Sequence, residues 1–191
     1  MGKKEIRVGL DLDGVIAGHS LGGFWVRVRK FKERFLKKLH NRSYFYPKTF
    51  LEMTAWKVIN WLRIPDREGV RQIATMEKEG YKFYLITGRF KFNYPSTIRW
   101  LKKYKIYDLF EKTLVNIEDQ DPIKFKQTAI KREKISCFVD DDLEVLSSFT
   151  DEKLKLFWVV PGHRNGNENG HKHIVSCQNF YSALRTLQEN T

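Results

Sequence analysis

Residues 6–15 read Ile-Arg-Val-Gly-Leu-Asp-Leu-Asp-Gly-Val, and from this stretch the rest of the chain falls into place. Ile6 to Leu10 has the make-up of a short β-strand, cut off by two aspartates and a glycine that favour a turn. Residues 81–86, Tyr-Lys-Phe-Tyr-Leu-Ile, repeat the pattern and are stopped by Thr87-Gly88. Residues 113–117, 136–139 and 154–160 read as three further strands. Helical spacing fills the gaps. One helix is capped by Asp66, turns Val70, Ile73 and Met76 inward and ends at Gly80. Another follows Pro95 with Ile98 and Leu101 on one face, a third covers about 123–133, and a fourth begins at Phe180. Strands alternating with helices imply right-handed crossovers and a parallel sheet, hence a Rossmann-like α/β core. Such sheets bind ligands at the carboxyl ends of their strands. Asp11, Thr87 and Asp140 each follow a strand directly, so they are expected to meet.

Residues 18–65 break the alternation. Phe24, Val28, Phe31, Phe35 and Leu39 keep helical spacing, as do Leu51, Ala55, Val58 and Leu62, with no strand between them. The stretch therefore reads as a small helical cap inserted into a core made of residues 1–17 and 66–191. It carries eleven Lys/Arg against two Asp/Glu, a net +9 of the chain's +12, and ten of its 27 aromatic residues. Regularly spaced apolar residues are expected to pack. Trp25, Tyr44, Phe45, Tyr46, Trp56 and Trp61 are less regular, so one or two could stack on a base; His19 and His40 read first as solvated histidines and second as substrate contacts. Arg27, Arg29, Lys30, Lys37 and Lys38 form a solvated face or steer anions.

A net charge of +12 on 191 residues suits an acidic partner (a phosphate ester, a nucleotide, a nucleic acid or an anionic surface) or simply a well-solvated basic protein. Two widely separated cysteines, Cys137 and Cys177, make a disulfide scaffold a poor fit and point to the reducing cytoplasm. No apolar run approaches a membrane span. The N-terminal apolar stretch is too short for a secretion signal and runs straight into Asp11, and Ile6 stands where myristoylation wants Ser or Thr. The expectation is an intracellular protein with no membrane partner. A zinc site on His163, His171, His173 and Cys177, in a polar loop over 161–177, is the weaker reading of those residues, because their spacing is irregular.

Four positions carry chemistry. Asp11 and Asp13, two residues apart in a turn, can share a divalent cation and still do different jobs. Mg²⁺ takes one or two carboxylates and keeps its other positions for water and phosphate. One carboxylate can attack phosphorus while the other supplies and then removes a proton. A calcium loop or an acidic turn would look the same. Thr87-Gly88-Arg89 offers a hydroxyl and backbone amides to an oxyanion, or is an ordinary strand-to-helix turn. Lys126 could neutralise both Asp11 and a phosphoryl oxygen as a point charge, with Lys124 as its competitor. Asp140-Asp141-Asp142 repel one another enough to call for a cation, or Asp141 or Asp142 caps the next helix.

The order of these motifs is more telling than any one of them. Asp-Leu-Asp-Gly-Val, then Thr-Gly-Arg, then a lysine, then Asp-Asp, each after a strand, resembles the haloacid dehalogenase (HAD) superfamily across nearly the whole chain. The layout is similar to its small-cap 5′(3′)-nucleotidase-like branch. The resemblance implies that Asp11 is the nucleophile and Asp13 the acid/base. Thr87, Gly88 and Lys126 would bind phosphate. Asp11, the backbone carbonyl of Asp13, Asp140 and Asp141 would hold Mg²⁺. Halide leaves without a proton, so an acid at Asp13 argues for phosphate esters over haloacids. The expectation is a Mg²⁺-dependent phosphatase acting on a small phosphorylated substrate, a nucleotide first. The alternatives are a polynucleotide 3′-phosphatase, with nucleic acid held by the basic cap, and a non-catalytic nucleic-acid-binding module on the same fold. The oligomeric state is left open.

Overall fold

A computed structural model of the chain describes residues 5–18, 46–160 and 173–190. The chain divides into two compact units, Met1–Gly18 with Pro65–Thr191, and His19–Ile64. The first is built on six parallel strands: β1 (Ile6–Leu10), β2 (Tyr81–Phe90), β3 (Lys112–Asn116), β4 (Cys137–Asp140), β5 (Lys155–Val159) and β6 (Ile174–Cys177). Their order is β3-β2-β1-β4-β5-β6, and every neighbouring pair is parallel. This is the Rossmann-like α/β sheet that the sequence predicts. Helix α1 (Phe50–Trp61) lies in the second unit. The first holds α2 (Arg67–Lys78), α3 (Tyr94–Lys103), α4 (Pro122–Arg132), α5 (Leu143–Ser147) and α6 (Phe180–Glu189).

Side chains alternate across each strand, so the sheet feeds two cores. Val8, Leu10, Phe83, Leu85, Val139 and Phe157 face one side, where Ile73 and Met76 of α2, Trp100 and Leu101 of α3, and Phe180 and Leu184 of α6 cover them. Tyr84, Ile86, Phe138 and Leu156 face the other, under Ala129 and Ile130 of α4 and Val145 and Leu146 of α5. On that face β1 presents Gly9, and a Cβ there would fall 2.9 Å from the ring of Phe138. Full burial of a ring the size of Phe138 is worth roughly 1.5–3 kcal/mol, so the empty position on β1 is what lets the ring in. Helix starts are set by short acceptors. Asp66 takes the Gly69 amide at 2.9 Å, Asp121 those of Ile123 and Lys124, and Asp142 that of Glu144.

Register positions the chemistry. Leu10 pairs with Leu85 on one side and Val139 on the other. One step further along, Asp11 and Asp140 stand level at the carboxyl edge, and the Asp11 amide donates to the Val139 carbonyl at 2.9 Å.

Three expectations need correction. Strand β2 does not stop at Ile86 but continues through Thr87-Gly88-Arg89 to Phe90, and its register against β3 shifts between Thr87 and Phe90. The irregularity bends the strand without ending it. The loop expected over 161–177 contains strand β6, with Cys177 fully buried, so its thiol is a core group and not a metal ligand. His163 and His171 lie outside the described residues. In the second unit α1 forms as the periodicity predicts, with a capping box at Thr49 and Glu52. However, its stripe is not covered: Leu51, Val58 and Leu62 are 78%, 52% and 62% exposed, and the helix's buried residue is Asn60. Apolar spacing reports a helix; it does not say what lies against it. The cap residues from His19 to Phe45 lie outside the described residues. Among those described, no helix is long and apolar enough to cross a membrane.

Candidate active site

Asp11, Asp140 and Asp141 come together beyond the ends of β1 and β4, each offering a carboxylate oxygen, with all three oxygens within 4.8 Å of one another. Asp11 and Asp140 are buried. Lys126 reaches them from α4: its Nζ lies 2.9 Å from Asp11 Oδ1 and 2.6 Å from Asp140 Oδ2, over the Phe138 ring. Gly88 makes this approach possible, since a Cβ there would sit 3.0 Å from Pro122 at the start of α4. Of the two candidate lysines Lys126 is the buried one; Lys124 points to solvent. Of the three consecutive acids, Asp142 caps α5, and its amide donates to Asp140 Oδ1 at 3.0 Å. Asp141 is steadied by its backbone carbonyl, which accepts from the Trp158 indole at 3.1 Å.

Asp11 and Asp140 share the Lys126 ammonium, with the Asp141 carboxylate beside them, in a mostly buried site. Hard oxygen donors that outnumber the local cation suit a divalent ion such as Mg²⁺. Burial pushes the Asp11 carboxyl up to about 7, opposed by Lys126 and reinforced by Asp140 and Asp13. Burial likewise lifts Asp140 to about 6, again against Lys126. Burial disfavours the Lys126 charge, but the two carboxylates outweigh it and hold the ammonium above its ordinary value. Both acids thus titrate higher in the fold than their ordinary 3.8. Their contribution to stability is full below that value and is lost as pH rises through about 6 and 7. A cation must displace the same protons. The metal-free protein should therefore lose melting temperature between pH 5 and pH 8, and Mg²⁺ should raise it more at pH 8 than at pH 5. Calorimetry at both values checks this, and equal stabilisation at the two would contradict the cation assignment.

Gly14 is the second constraint on this cluster. Its φ is +87°, and a Cβ would lie 2.1 Å from Asp141 Oδ2. The Asp141 carboxylate occupies the space that any other residue would need. Gly14→Ala combines backbone strain of about 1 kcal/mol or more with eviction of that carboxylate. We expect a stability loss of about 1–3 kcal/mol and a far larger loss of Mg²⁺ affinity, measured by titration calorimetry. Unchanged affinity would show that Asp141 is not needed at the cation.

Thr87 is buried within β2, where the register against β3 shifts, and its Oγ1 accepts from the Arg89 amide at 3.3 Å. The hydroxyl's own proton remains for an oxyanion. Asp13 does not join the three clustered carboxylates. Its Oδ2 receives Nε of Arg89 at 2.7 Å and its Oδ1 receives Nη2 at 2.6 Å. Sequence reasoning quoted Arg89 within Thr-Gly-Arg and gave it no task. The two partners are 76 positions apart, and only the pairing of β1 with β2 brings them together.

No family model matches the chain, and no curated protein matches it. Solved structures do match. A haloacid dehalogenase-like hydrolase from Streptococcus pneumoniae is 10% identical, over 98% of this chain and 99% of that one, with a TM-score of 0.61. A HAD phosphatase from Thermococcus onnurineus is 16% identical, over 95% and 97%, with a TM-score of 0.53. A candidate HAD-hydrolase from Bacillus subtilis, bound to magnesium, is 14% identical, over 98% and 99%, with a TM-score of 0.56. 2-Haloacid dehalogenases are among the matches as well. At these identities the likeness shows the fold: this is the α/β fold of HAD-like hydrolases.

Proposed function

We propose that the chain is a phosphomonoester hydrolase that forms an aspartyl phosphate on Asp11. The observation that carries this reading is the different treatment of two aspartates two residues apart. Asp11 is buried against Lys126, while Asp13 is partly open and gripped by Arg89. The first environment suits a nucleophile, and the second suits a group that exchanges protons with solvent and leaving group. An Asp11 oxygen attacks phosphorus as the ester P–O bond breaks, and Asp13 protonates the departing alkoxide. Asp13, now ionised, takes a proton from water, whose oxygen attacks the phosphoryl group. Inorganic phosphate leaves and Asp11 is regenerated. Thr87 and the Gly88 amide would hold phosphoryl oxygens, and Lys126 would carry charge between Asp11 and the phosphoryl group. Asp11, Asp140, Asp141 and the Asp13 carbonyl would hold Mg²⁺, which supplies charge neutralisation at the phosphoryl oxygens when bound. A dehalogenase would have no task for Asp13, so we place the chain with phosphatases and not with dehalogenases of the same fold.

The proposed substrate is a small phosphorylated metabolite, a nucleotide first, because residues 18–65 combine a net +9 with ten aromatic residues. The same charge favours one second reading, a polynucleotide 3′-phosphatase. Free, buried Cys137 and Cys177 support a reducing, cytoplasmic setting. The test is phosphate release from mononucleotides, sugar phosphates and 3′-phosphorylated oligonucleotides, with Mg²⁺ and with excess chelator. Release from a mononucleotide, lost in chelator, is the expected result. Release from oligonucleotide ends alone would move the assignment to the second reading, and full activity in chelator would remove Mg²⁺ from it.

A further inference from the structure

We infer that Arg89 is the positioning residue for Asp13, with its own aim set by Thr97, and that this relay adapts the site to esters whose leaving groups need a proton. The inference rests on the phosphatase reading and goes beyond it. Arg89 is 6% exposed, although it is an arginine at a strand end, and its hydrogen bonds account for the burial. Nε and Nη2 form a two-pronged contact with the two Asp13 oxygens at 2.7 and 2.6 Å, and Nη1 donates to Thr97 Oγ1 at 3.1 Å. Thr97 is fully buried on α3. A planar fork fixes the plane of the carboxylate it holds as well as its position, which a lysine point charge cannot do. The Thr97 contact then fixes the fork.

The geometry separates this role from that of a substrate clamp. The fork that would grasp a phosphate in two-pronged fashion is already filled by Asp13. The clustered carboxylates also have their own cation in Lys126. Arg89 therefore acts through Asp13. An acid that must meet a leaving oxygen and then a water molecule loses most of its advantage when its side chain is free to turn. General acid–base help is typically worth about 10²–10⁴-fold, and it matters for alkoxide leaving groups and little for nitrophenolate. Loosening the Asp13 carboxylate should therefore slow formation of the aspartyl phosphate in proportion to the basicity of the leaving group, and slow its hydrolysis by one common factor whatever the ester.

The experiment compares wild type, Arg89→Lys, Thr97→Val, Asp13→Asn and the Arg89→Lys/Asp13→Asn double variant. Each is assayed on nitrophenyl phosphate and on a series of alkyl and nucleoside monophosphates. We expect Arg89→Lys to lose about tenfold to a hundredfold in the single-turnover rate of aspartyl-phosphate formation on the alkyl esters and less than about threefold in that rate on nitrophenyl phosphate. Thr97→Val should show a smaller loss with the same dependence, and it carries the test if Arg89→Lys folds poorly. In the double variant the Arg89 effect should vanish, since its only route is through Asp13. Equal losses in that formation rate on all substrates would overturn the inference while leaving the phosphatase reading intact. A wild type that releases phosphate from no ester would overturn the reading itself, and this inference with it.

Discussion

Asp11→Asn is expected to abolish phosphate release, by about four orders of magnitude or more, with the circular dichroism of the wild type. The amide keeps the size of the side chain and an oxygen toward the cation, but it has no charge with which to attack phosphorus. Burial already holds the Asp11 carboxyl at about 7, so the fold tolerates a neutral group there, and the loss should be purely chemical. Acid quenching of the wild type during turnover should trap phosphate on the protein, and the variant should trap none. Substantial turnover by Asp11→Asn on any substrate that the wild type cleaves would end the covalent mechanism.

Lys126→Met should be the most damaging single change for stability. It removes the ammonium shared by two buried carboxylates, Asp11 at 2.9 Å and Asp140 at 2.6 Å. Breaking a buried pair from one side costs about 3–5 kcal/mol, because the remaining charges are left in a poor solvent. In a chain of this size that is a fall of roughly 6–20 °C in melting temperature. The fall should be deepest without metal at pH 8. It should shrink at pH 5, where Asp11 and Asp140 are protonated, and shrink again with Mg²⁺, whose charge can stand in for the ammonium. Lys124→Met, on the exposed side of the same helix, should stay within about 0.5 kcal/mol of wild type. An unchanged melting temperature in Lys126→Met would mean that the cluster is far better solvated than its burial implies.

How much of this was legible beforehand follows from how local each signal is. Asp11 and Asp140 could be read because a run of strand-forming residues stops at an acid in both places, and parallel pairing brings strand ends together. Lys126 was nameable only through the order of the motifs; nothing in one lysine among many says that it is buried. Arg89 was missed because its partner is distant in sequence and its meaning exists only as a contact. Helix α5, five residues long, and strand β6, four residues after a polar stretch, fall below the length at which a period can be counted. The continuation of β2 through Thr87 was hidden because Thr-Gly reads as a stop, and only the neighbouring β3 shows that pairing resumes at Phe90.

The way the chain departs from the sheet-bearing unit and returns to it has an evolutionary consequence. It leaves after Gly18 and comes back at Pro65, and the two flanks are stitched together within that unit by the Asp66 amide on the Ile16 carbonyl at 2.9 Å. Neither the strand ends that carry the acids nor the helix that carries Lys126 contributes to the stitch. The 46 residues between are therefore expected to tolerate lengthening, shortening or exchange, provided that the turn pairing Asp13 with Ala17 is kept. On the phosphatase reading, selection could then explore new substrates on one cassette while the reaction chemistry stays inherited and whole. A graft of a foreign insert between Gly18 and Pro65 should change what is cleaved before it changes how.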